Sequence, residues 1–375
     1  MIYTAMLFAG LVQFALITQP HNILASTRHG SSYLSYTGAS MGGQLLFAGS
    51  VGAAWLLASG MATFVHGQLG VLLLLAAPTA VAWQIQEYFR RVLYTEERFG
   101  LVLATDLISY GGQAAMIVTL AVAQALSAFT ALAAIAVSSG LASLLAAWWL
   151  RPSLRMGISF RSLGETWGFG RWLLTVPIYW MSTQFYLYVA AAVLGLPVAG
   201  ALKAAQVLMG PLNLLLAPFE SAVPIRLARS LAAEGDSHMN RLVLRTMRLT
   251  APPVAAYCLA AAVFARPLLH LFYGDRYVRY DYVLRFLAAF YFFHFVGAVL
   301  SAGLRARRQT KEVFLGYFYA SLVALACTVL IPIIRTPAAV AGIILASATL
   351  TALLWRAYSL PRATRAAPAP ARTGP

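Results

Sequence analysis

One predicted helix, residues 199–227, carries polar side chains at the spacing of a single helical face. The residues on this face are separated by 3, 4, 3, 4 and 3 positions: Lys203, Gln206, Gly210, Asn213, Ala217 and Glu220. At about 100° per residue they fall within one stripe roughly 100° wide. An ionised group in hydrocarbon costs on the order of 3 kcal/mol or more, so such groups usually face a bundle interior or a water-filled cavity. The stripe therefore predicts a polar cavity, with Lys203, Gln206 and Asn213 as candidate binding groups.

Two other predicted helices carry polar residues of the same kind. Helix 168–194 has Arg171, Thr175, Tyr179 and Ser182, and helix 102–123 has Asp106, Ser109, Tyr110 and Gln113. Interhelical hydrogen bonds are common in helix bundles, so a purely structural role is an alternative for all of these groups. Arg171 and Glu220 could form an ion pair near the same helix ends, and Lys203 could reach the membrane headgroups with its long side chain.

Carboxylates inside apolar segments are candidates for ion coupling. Asp106 and Glu220 are such candidates, together with Glu87, and all three lie near helix ends that we predict to be cytoplasmic. The aromatic run FYFFHF, residues 290–295, could stack on sugar rings, although packing against lipid or other helices is the commoner role. Its His294 could carry a proton near neutral pH.

The composition indicates an all-α integral membrane protein. Of the 375 residues 61% are hydrophobic, and the mean hydropathy is +0.75. Apolar runs recur at about the 20 residues that cross a hydrocarbon core, and runs such as VLLLLAAPTAVAW lack the alternation of barrel strands. We predict eleven helices, at 2–18, 40–62, 69–89, 102–123, 127–150, 168–194, 199–227, 248–265, 282–303, 313–334 and 338–358.

Basic residues are concentrated in alternate predicted loops. The net charge is +16, and most of the 27 Lys and Arg residues lie on one side if the first helix runs from outside to inside. The positive-inside rule then makes 90–98 and 305–311 cytoplasmic and 274–280 external. Basic loops beside an anionic leaflet explain the charge without a nucleic-acid partner. We therefore predict a multi-pass protein of the cell inner (cytoplasmic) membrane, with its C-terminus in the cytoplasm.

Two charged segments, QEYFRRVLYTEERFG (86–100) and GLRARRQTKEVFLG (303–316), resemble each other and read as equivalent cytoplasmic loops. An offset of 215 places Arg90 on Arg305, Thr95 on Thr310, Glu97 on Glu312 and Phe99 on Phe314. Matches in the same order in both halves are typical of parallel repeats related by an axis along the membrane normal.

The repeat predicts two lobes. We expect an N-lobe at 1–150, a cytoplasmic linker at 151–167, a C-lobe at 168–358 and a disordered basic tail at 359–375. Helix 199–227 follows helix 168–194, whereas its counterpart 2–18 follows no helix. The N-lobe is thus expected to lack its first helix, through a truncated gene model or an upstream start codon, and a true eleven-helix chain is the alternative.

The sequence contains no motif of a catalytic or cofactor site. It has no phosphate-binding glycine-rich loop with lysine, no HExxH and no CxxC, and Cys258 and Cys327 lie in apolar runs as small buried residues. The predicted loops are too short for a nucleotide-binding domain or for the large outer loop of a membrane glycosyltransferase. We predict that the protein is not an enzyme, that it uses no cofactor or metal, and that any energy comes from an ion gradient, the membrane potential or the substrate gradient.

Four segments resemble the polysaccharide-transporter branch of the multidrug/oligosaccharidyl-lipid/polysaccharide exporter superfamily. These are QIQEYFRRVLYTEERFGLVLATDLISYGGQ, GFGRWLLTVPIYW, GALKAAQVLMGPLNLLLAPFESAVPIRLAR and LFYGDRY, and the resemblance covers about residues 1–358. It implies twelve helices in two pseudo-symmetric bundles around a central cavity, and export of a lipid-linked oligosaccharide by alternating access. Membrane lipids, glycosyltransferases and a polysaccharide polymerase are the implied partners.

The resemblance also implies a cationic cavity that accepts pyrophosphate or acidic sugars, and Arg171 and Lys203 match by position. Elementary electrostatics agrees, because a cation in a low-dielectric cavity attracts phosphate far more strongly than in bulk water. A cation-coupled multidrug exporter of the same fold, with Asp106 or Glu220 as the coupling carboxylate, is the alternative function.

Overall fold

The computed structural model describes residues 2–151, 153, 159–334 and 341–359, and every regular element in these ranges is a helix. The first six helices are α1 (Ile2–Leu24), α2 (Gly30–Val65), α3 (Gly67–Thr95), α4 (Phe99–Val122), α5 (Ala128–Leu150) and α6 (Phe160–Gly170). They are followed by α7 (Thr175–Leu194), α8 (Leu196–Leu208), α9 (Gly210–Glu234), α10 (Asp236–Val263), α11 (Ala265–Tyr273), α12 (Asp281–Ala306), α13 (Thr310–Ile334) and α14 (Ala341–Ser359).

Seven helices in the described ranges are long and apolar enough to cross a membrane, namely α1, α2, α3, α4, α5, α12 and α13. The pair α10 and α11, bent by 74°, adds an eighth if it is counted as one span. The eleven predicted segments are all at least partly helical, but the three at 168–194, 199–227 and 338–358 are not among these seven or eight. The predicted positions of the helices are thus confirmed, and the number of spans stays a prediction.

Irregular turns interrupt several helices. The predicted helix 199–227 divides into α8 and α9 around Met209. Pro211 has no backbone N–H to donate to the carbonyl four residues earlier, which favours a break at this point. Helices α1 and α4 contain π-helical turns at Phe14–Thr18 and Leu107–Gly111, and a 3₁₀ turn at Arg171–Leu174 joins α6 to α7. Such local changes of helical pitch re-aim side chains and are frequent at functional sites.

The helix pairs α3–α4 and α12–α13 are joined by turns of the same geometry. Each turn has the two hydrogen bonds of a Schellman motif. The bonds run from the N–H groups of Glu97, Arg98, Arg308 and Gln309 to the carbonyls of Tyr94, Leu93, Arg305 and Leu304, respectively. Glu97 and Arg308 occupy the left-handed position, with φ of 57° and 60°. Superposing the two turns places Glu97 on Arg308, an offset of 211 residues. This differs by four residues, about one helical turn, from the offset of 215 that the residue matches suggested.

Much of the segment 86–100 lies in α3 rather than in a loop. Helix α3 continues to Thr95, and Arg91 is only 7% exposed. Arg305, from the second charged segment, lies in α12 and is only 4% exposed. Both guanidinium groups have hydrogen-bonding partners inside the protein, which offsets much of the penalty for burying a charge. The prediction of a loop was wrong for these residues.

Buried apolar side chains form two clusters. The smaller cluster packs α3 against α1, α2, α4 and α5, and it includes Tyr88, Leu93 and Leu150. The larger cluster lies in α7–α14 and also takes in Ile23 and Tyr36 from the first two helices. The end of α1 and the start of α2 therefore pack against the C-terminal helices. The division into lobes at 1–150 and 168–358 stays a prediction.

A short helix occupies the described part of the predicted linker 151–167. The Ser159 hydroxyl caps α6 by accepting a hydrogen bond of 3.3 Å from the Ser162 N–H. Helix α6 packs on α2 through Tyr36 and Thr166, whose hydroxyls are 2.8 Å apart. Residues 152 and 154–158 of the predicted linker, and 360–375 of the predicted tail, lie outside the described residues.

Candidate functional site

A cavity of about 680 Å³ lies between α1 and the helices α7, α8, α9, α12 and α13. Its described lining residues are Tyr3, Thr4, Leu7, Leu11, Val176, Tyr179, Trp180, Thr183, Gln184, Lys203, Gln206, Val207, Gly210, Asn213, Glu220, Leu287, Phe290, Tyr291, His294 and Tyr317. The volume is within the usual range for a small-molecule site, and the lining combines aromatic rings with a few polar groups, as such sites generally do.

The polar stripe predicted on residues 199–227 faces this cavity. Lys203 and Gln206 on α8, and Asn213 and Glu220 on α9, all line it. Gly210 lines it as well, so the stripe continues across the break between the two helices. The helical spacing in the sequence thus identified a real face of the cavity.

Lys203 offers an unpaired positive charge to the cavity. Its side chain is exposed, and its Nζ lies 3.5 Å from Oε1 of Gln206. No ion pair to Lys203 is present in the described ranges. An ammonium group beside side-chain amides favours an anionic ligand with hydrogen-bond acceptors, since the cavity screens charge less than bulk water does.

Glu220, His294 and Tyr317 form the end of the cavity nearest the buried arginines. The residues on either side of Glu220, Phe219 and Ser221, accept hydrogen bonds from arginine side chains. No ion pair involves the Glu220 carboxylate within the described residues. Nδ1 of His294 is buried without a hydrogen bond, and its ring stacks on Phe290 with centroids 5.7 Å apart. An unpaired carboxylate and an imidazole can together take up a cation or a proton.

Aromatic rings form much of the remaining wall. Tyr179 and Tyr317 meet edge to face with centroids 5.3 Å apart, and Phe290 and Tyr291 do so at 5.4 Å. Trp180 also lines the cavity. The polar spacing in α7 and the run 290–295 drew attention to Tyr179 and its neighbours. Trp180 and Tyr317 were missed because their roles depend on tertiary packing, and no sequence pattern marks them.

Arg171 and Asp106 lie away from this cavity. Arg171 is exposed in the 3₁₀ turn before α7, with its guanidinium 5.0 Å from the centre of the Trp172 ring. The suggested ion pair between Arg171 and Glu220 is not formed, so that interpretation was wrong. Asp106 instead pairs with Arg90, whose Nε lies 3.1 Å from Oδ1 of the carboxylate. Any role of Arg171 in binding or of Asp106 in ion coupling stays a prediction.

Hydrogen bonds join α9 to α1 and α3 beyond the Glu220 end of the cavity, and we call them the clasp. Arg91 on α3 donates to the hydroxyl of Ser221, and Gln19 on α1 donates to the backbone carbonyl of Glu220. Arg91 is also held by Glu87, which accepts a hydrogen bond of 2.7 Å from its Nε. The clasp therefore begins next to Glu220, which lines the cavity.

Arg229 is the outermost member of the clasp. Its Nη2 donates to the carbonyl of Thr95 at 2.6 Å, its Nε donates to the carbonyl of Ser26 at 3.2 Å, and it forms an ion pair with Glu97. A single guanidinium group thus satisfies carbonyls at the end of α3 and just after α1. These contacts hold the helices together on the side where most arginines lie, which we call the basic side.

The fold defines the class of protein. The described ranges consist of helices around a polar cavity, several of them long enough to span a membrane, and this fold is shared with a solved transporter of the multidrug/oligosaccharidyl-lipid/polysaccharide exporter (MOP) superfamily. The chain is a multi-pass membrane protein with a transporter fold rather than the fold of an enzyme.

The sequence places the chain in a family within that class. The family described as polysaccharide biosynthesis protein matches residues 32–282, and the chain belongs to it. No curated protein matches the sequence.

Solved structures with this fold share little sequence with the chain. A eukaryotic MATE transporter is 16% identical, with a TM-score of 0.79 over 96% of this chain and 86% of its own. A MOP superfamily transporter from Pyrococcus furiosus, described with a binding pocket of reversed polarity, is 14% identical, with a TM-score of 0.79 over 94% and 85%. A multidrug resistance MATE family transporter in its outward-facing conformation is 14% identical, with a TM-score of 0.75 over 94% and 83%.

Proposed function

We propose that the protein exports a lipid-linked oligosaccharide or polysaccharide precursor across the cytoplasmic membrane by alternating access through this cavity. The observation that carries the proposal is the unpaired ammonium of Lys203 beside Gln206 in a cavity of about 680 Å³. Membership of the polysaccharide biosynthesis family supports a saccharide-bearing substrate.

The lining groups suit the parts of such a substrate. Lys203 attracts the diphosphate or an acidic sugar, while the amides of Gln206 and Asn213 supply hydrogen bonds. The faces of Trp180 and Tyr291 suit the apolar faces of sugar rings, and the tyrosine hydroxyl can bond to sugar hydroxyls. The lipid tail stays in the bilayer.

The clasp supports alternating access. Under the positive-inside rule the basic side is cytoplasmic, so the clasp closes the cavity toward the cytoplasm. The conformation is then one in which a substrate has been carried across and can leave toward the outer leaflet. Glycosyltransferases would supply the lipid-linked precursor and a polymerase would consume it.

Lys203 provides the direct test. Lys203→Gln keeps a long polar side chain but removes the charge. We expect surface polysaccharide in a flippase-deficient strain to fall at least tenfold, while the amount of folded protein is unchanged. The loss of one charge-assisted hydrogen bond, about 1.5–3 kcal/mol, accounts for the tenfold fall. Lys203→Arg keeps the charge and should retain much of the export.

The matched control is Lys311→Gln, which removes an exposed lysine at the start of α13 that does not line the cavity. This control should export normally. Full export by Lys203→Gln would remove Lys203 from the binding site and with it the observation on which the proposal rests.

A cation-coupled multidrug exporter is the second candidate, because the unpaired Glu220 carboxylate lines the same cavity. A carboxylate that faces a cavity within the membrane can exchange protons or sodium for a cationic drug. The two functions separate in one strain: drug resistance that requires Glu220, with no restoration of surface polysaccharide, would favour the multidrug exporter.

A further inference from the structure

A row of three arginines runs along the outward side of α10, near the basic side of the molecule. Arg241, Arg245 and Arg248 are spaced by four and three residues and are all exposed. At about 100° per residue they lie within a face roughly 60° wide. Leu244 and Leu249 flank this face on either side and are 46% and 66% exposed. The row is therefore a narrow basic strip with an apolar border.

The three guanidinium groups have no ion pair or hydrogen bond in the described part of the chain. Seven other arginines on the basic side have an acidic partner: Arg28, Arg90, Arg91, Arg98, Arg161, Arg229 and Arg307. The row differs from these seven, because its charge is not used within the described part of the protein.

An open hollow borders these side chains on the surface of α10. All of its described lining residues belong to α10: His238, Arg241, Leu242, Leu244, Arg245, Arg248 and Leu249. None of them lines the central cavity. A ligand in this hollow would contact the outer surface of one helix rather than the transport path.

The depth of the row matches the headgroup layer. The uncharged stretch of α10 begins at Leu249, directly after Arg248, and Arg241 lies about 10 Å further out than Arg248 at 1.5 Å per residue. A bilayer has a headgroup layer of roughly 5–8 Å on each side of its hydrocarbon core. Arg248 and Arg245 therefore lie within the headgroup layer and Arg241 lies just beyond it, from where its long side chain can reach back to the phosphates, while the leucines can contact acyl chains.

We propose that Arg241, Arg245 and Arg248 bind the phosphate groups of acidic phospholipids in the leaflet on the basic side. Charge complementarity selects anionic over zwitterionic headgroups, and the bordering leucines select a lipid over a free phosphate. The proposal is independent of which substrate the central cavity carries.

The test is native mass spectrometry of the full chain in detergent with added phosphatidylglycerol or phosphatidylcholine. Each arginine near the membrane surface favours an acidic lipid about fivefold. We expect the wild type to bind phosphatidylglycerol at least tenfold more tightly than phosphatidylcholine. The Arg241→Gln, Arg245→Gln, Arg248→Gln variant should lose most of this preference, and the corresponding triple lysine variant should keep most of it, since lysine also presents a charge to phosphate.

A second triple variant controls for the loss of charge alone. Arg266→Gln, Arg276→Gln and Arg279→Gln remove three exposed arginines in and just after α11, beyond the far end of α10, and should leave the preference unchanged. The proposal is overturned by a wild type without preference, or by an equal loss in both glutamine variants. Displacement of the lipid by inorganic pyrophosphate would also overturn it, since that result would indicate a diphosphate site instead.

Discussion

Glu97 and Arg308 are left-handed residues at the ends of α3 and α12, where a glycine would be less strained. A residue with a Cβ costs about 1–2 kcal/mol in this left-handed conformation, and a glycine avoids that cost. Part of the gain is offset, because glycine also raises the conformational entropy of the unfolded chain. Arg308 is exposed and pairs with no described acidic residue. We therefore expect Arg308→Gly to stabilise the protein by up to about 1 kcal/mol, measured as a higher melting temperature in detergent.

Two further variants separate backbone strain from charge. Arg308→Ala removes the charge but keeps the Cβ, so it should give no gain. Glu97→Gly relieves the same strain but also breaks the ion pair with Arg229, so its gain should be smaller than that at position 308. Equal stabilisation by Arg308→Ala and Arg308→Gly would show that charge repulsion, and not the left-handed backbone, sets the effect.

Sequence reasoning succeeded or failed at single residues according to local helix geometry. Lys203 and Glu220 were placed on one face correctly because the stripe keeps its 3.6-residue period on both sides of Gly210. Arg171 was grouped with Tyr179 on the assumption of one continuous α-helix. The 3₁₀ turn at Arg171–Leu174 advances about 120° per residue instead of 100°, so Arg171 no longer shares the face of Tyr179.

Helix α6 approaches the π-helical turn of α1 so closely at Gly170 that no side chain would fit there. A Cβ on Gly170 would lie 2.7 Å from the carbonyl oxygen of Ala15 and 3.0 Å from Cα of Leu16. Both are backbone atoms that cannot rotate away. We expect Gly170→Ala to destabilise the protein by roughly 1–3 kcal/mol, the usual range for overpacking, and to lower its melting temperature and folded yield.

Gly168 is the matched control, because a Cβ there would meet no atom within 4 Å. It lies in the same helix, where alanine is favoured over glycine by up to about 1 kcal/mol. Gly168→Ala should therefore be neutral or stabilising. If both variants behave alike, the close packing of α6 on α1 is not what fixes Gly170.

The places of the elements could be predicted, and their interruptions could not. Apolar runs long enough for a bilayer marked α3 and α12 because hydropathy depends on composition alone. The π turn at Phe14–Thr18 and the helix Phe160–Gly170 lack such a signal, since both are selected by packing against distant residues. Arg91 and Arg305 were assigned to loops for a related reason, because the sequence does not show the partners that let a charge be buried.

The cavity and the clasp adjoin each other along helix α9. The cavity extends from Tyr3 to Glu220, and the clasp continues from Ser221 to Arg229 along the same helix α9. A rigid movement of α9 away from α1 and α3 would break the clasp without disturbing the binding groups on α8. On the basic side, α9 is thus joined to α1 and α3 by a few hydrogen bonds between helices distant in sequence.

Arg229 should therefore control which side is accessible. Arg229→Gln removes an ion pair and at least one charge-assisted hydrogen bond, and a loss of about 1.4 kcal/mol shifts the equilibrium between the two states about tenfold. We expect a cysteine at position 221, a buried clasp position, to react roughly tenfold faster with a thiol reagent from the basic side in this variant than in a parent that carries the same cysteine, so that the difference reports on Arg229 alone. The parent, the Arg229→Gln variant and its control all carry Cys258→Ala and Cys327→Ala, so that position 221 holds the reactive thiol. The control is Arg226→Gln, which removes an exposed arginine one turn earlier whose guanidinium lies over the Phe99 ring and has no ion pair in the described ranges. Equal protection of position 221 in the two variants would mean that the clasp does not gate the cavity.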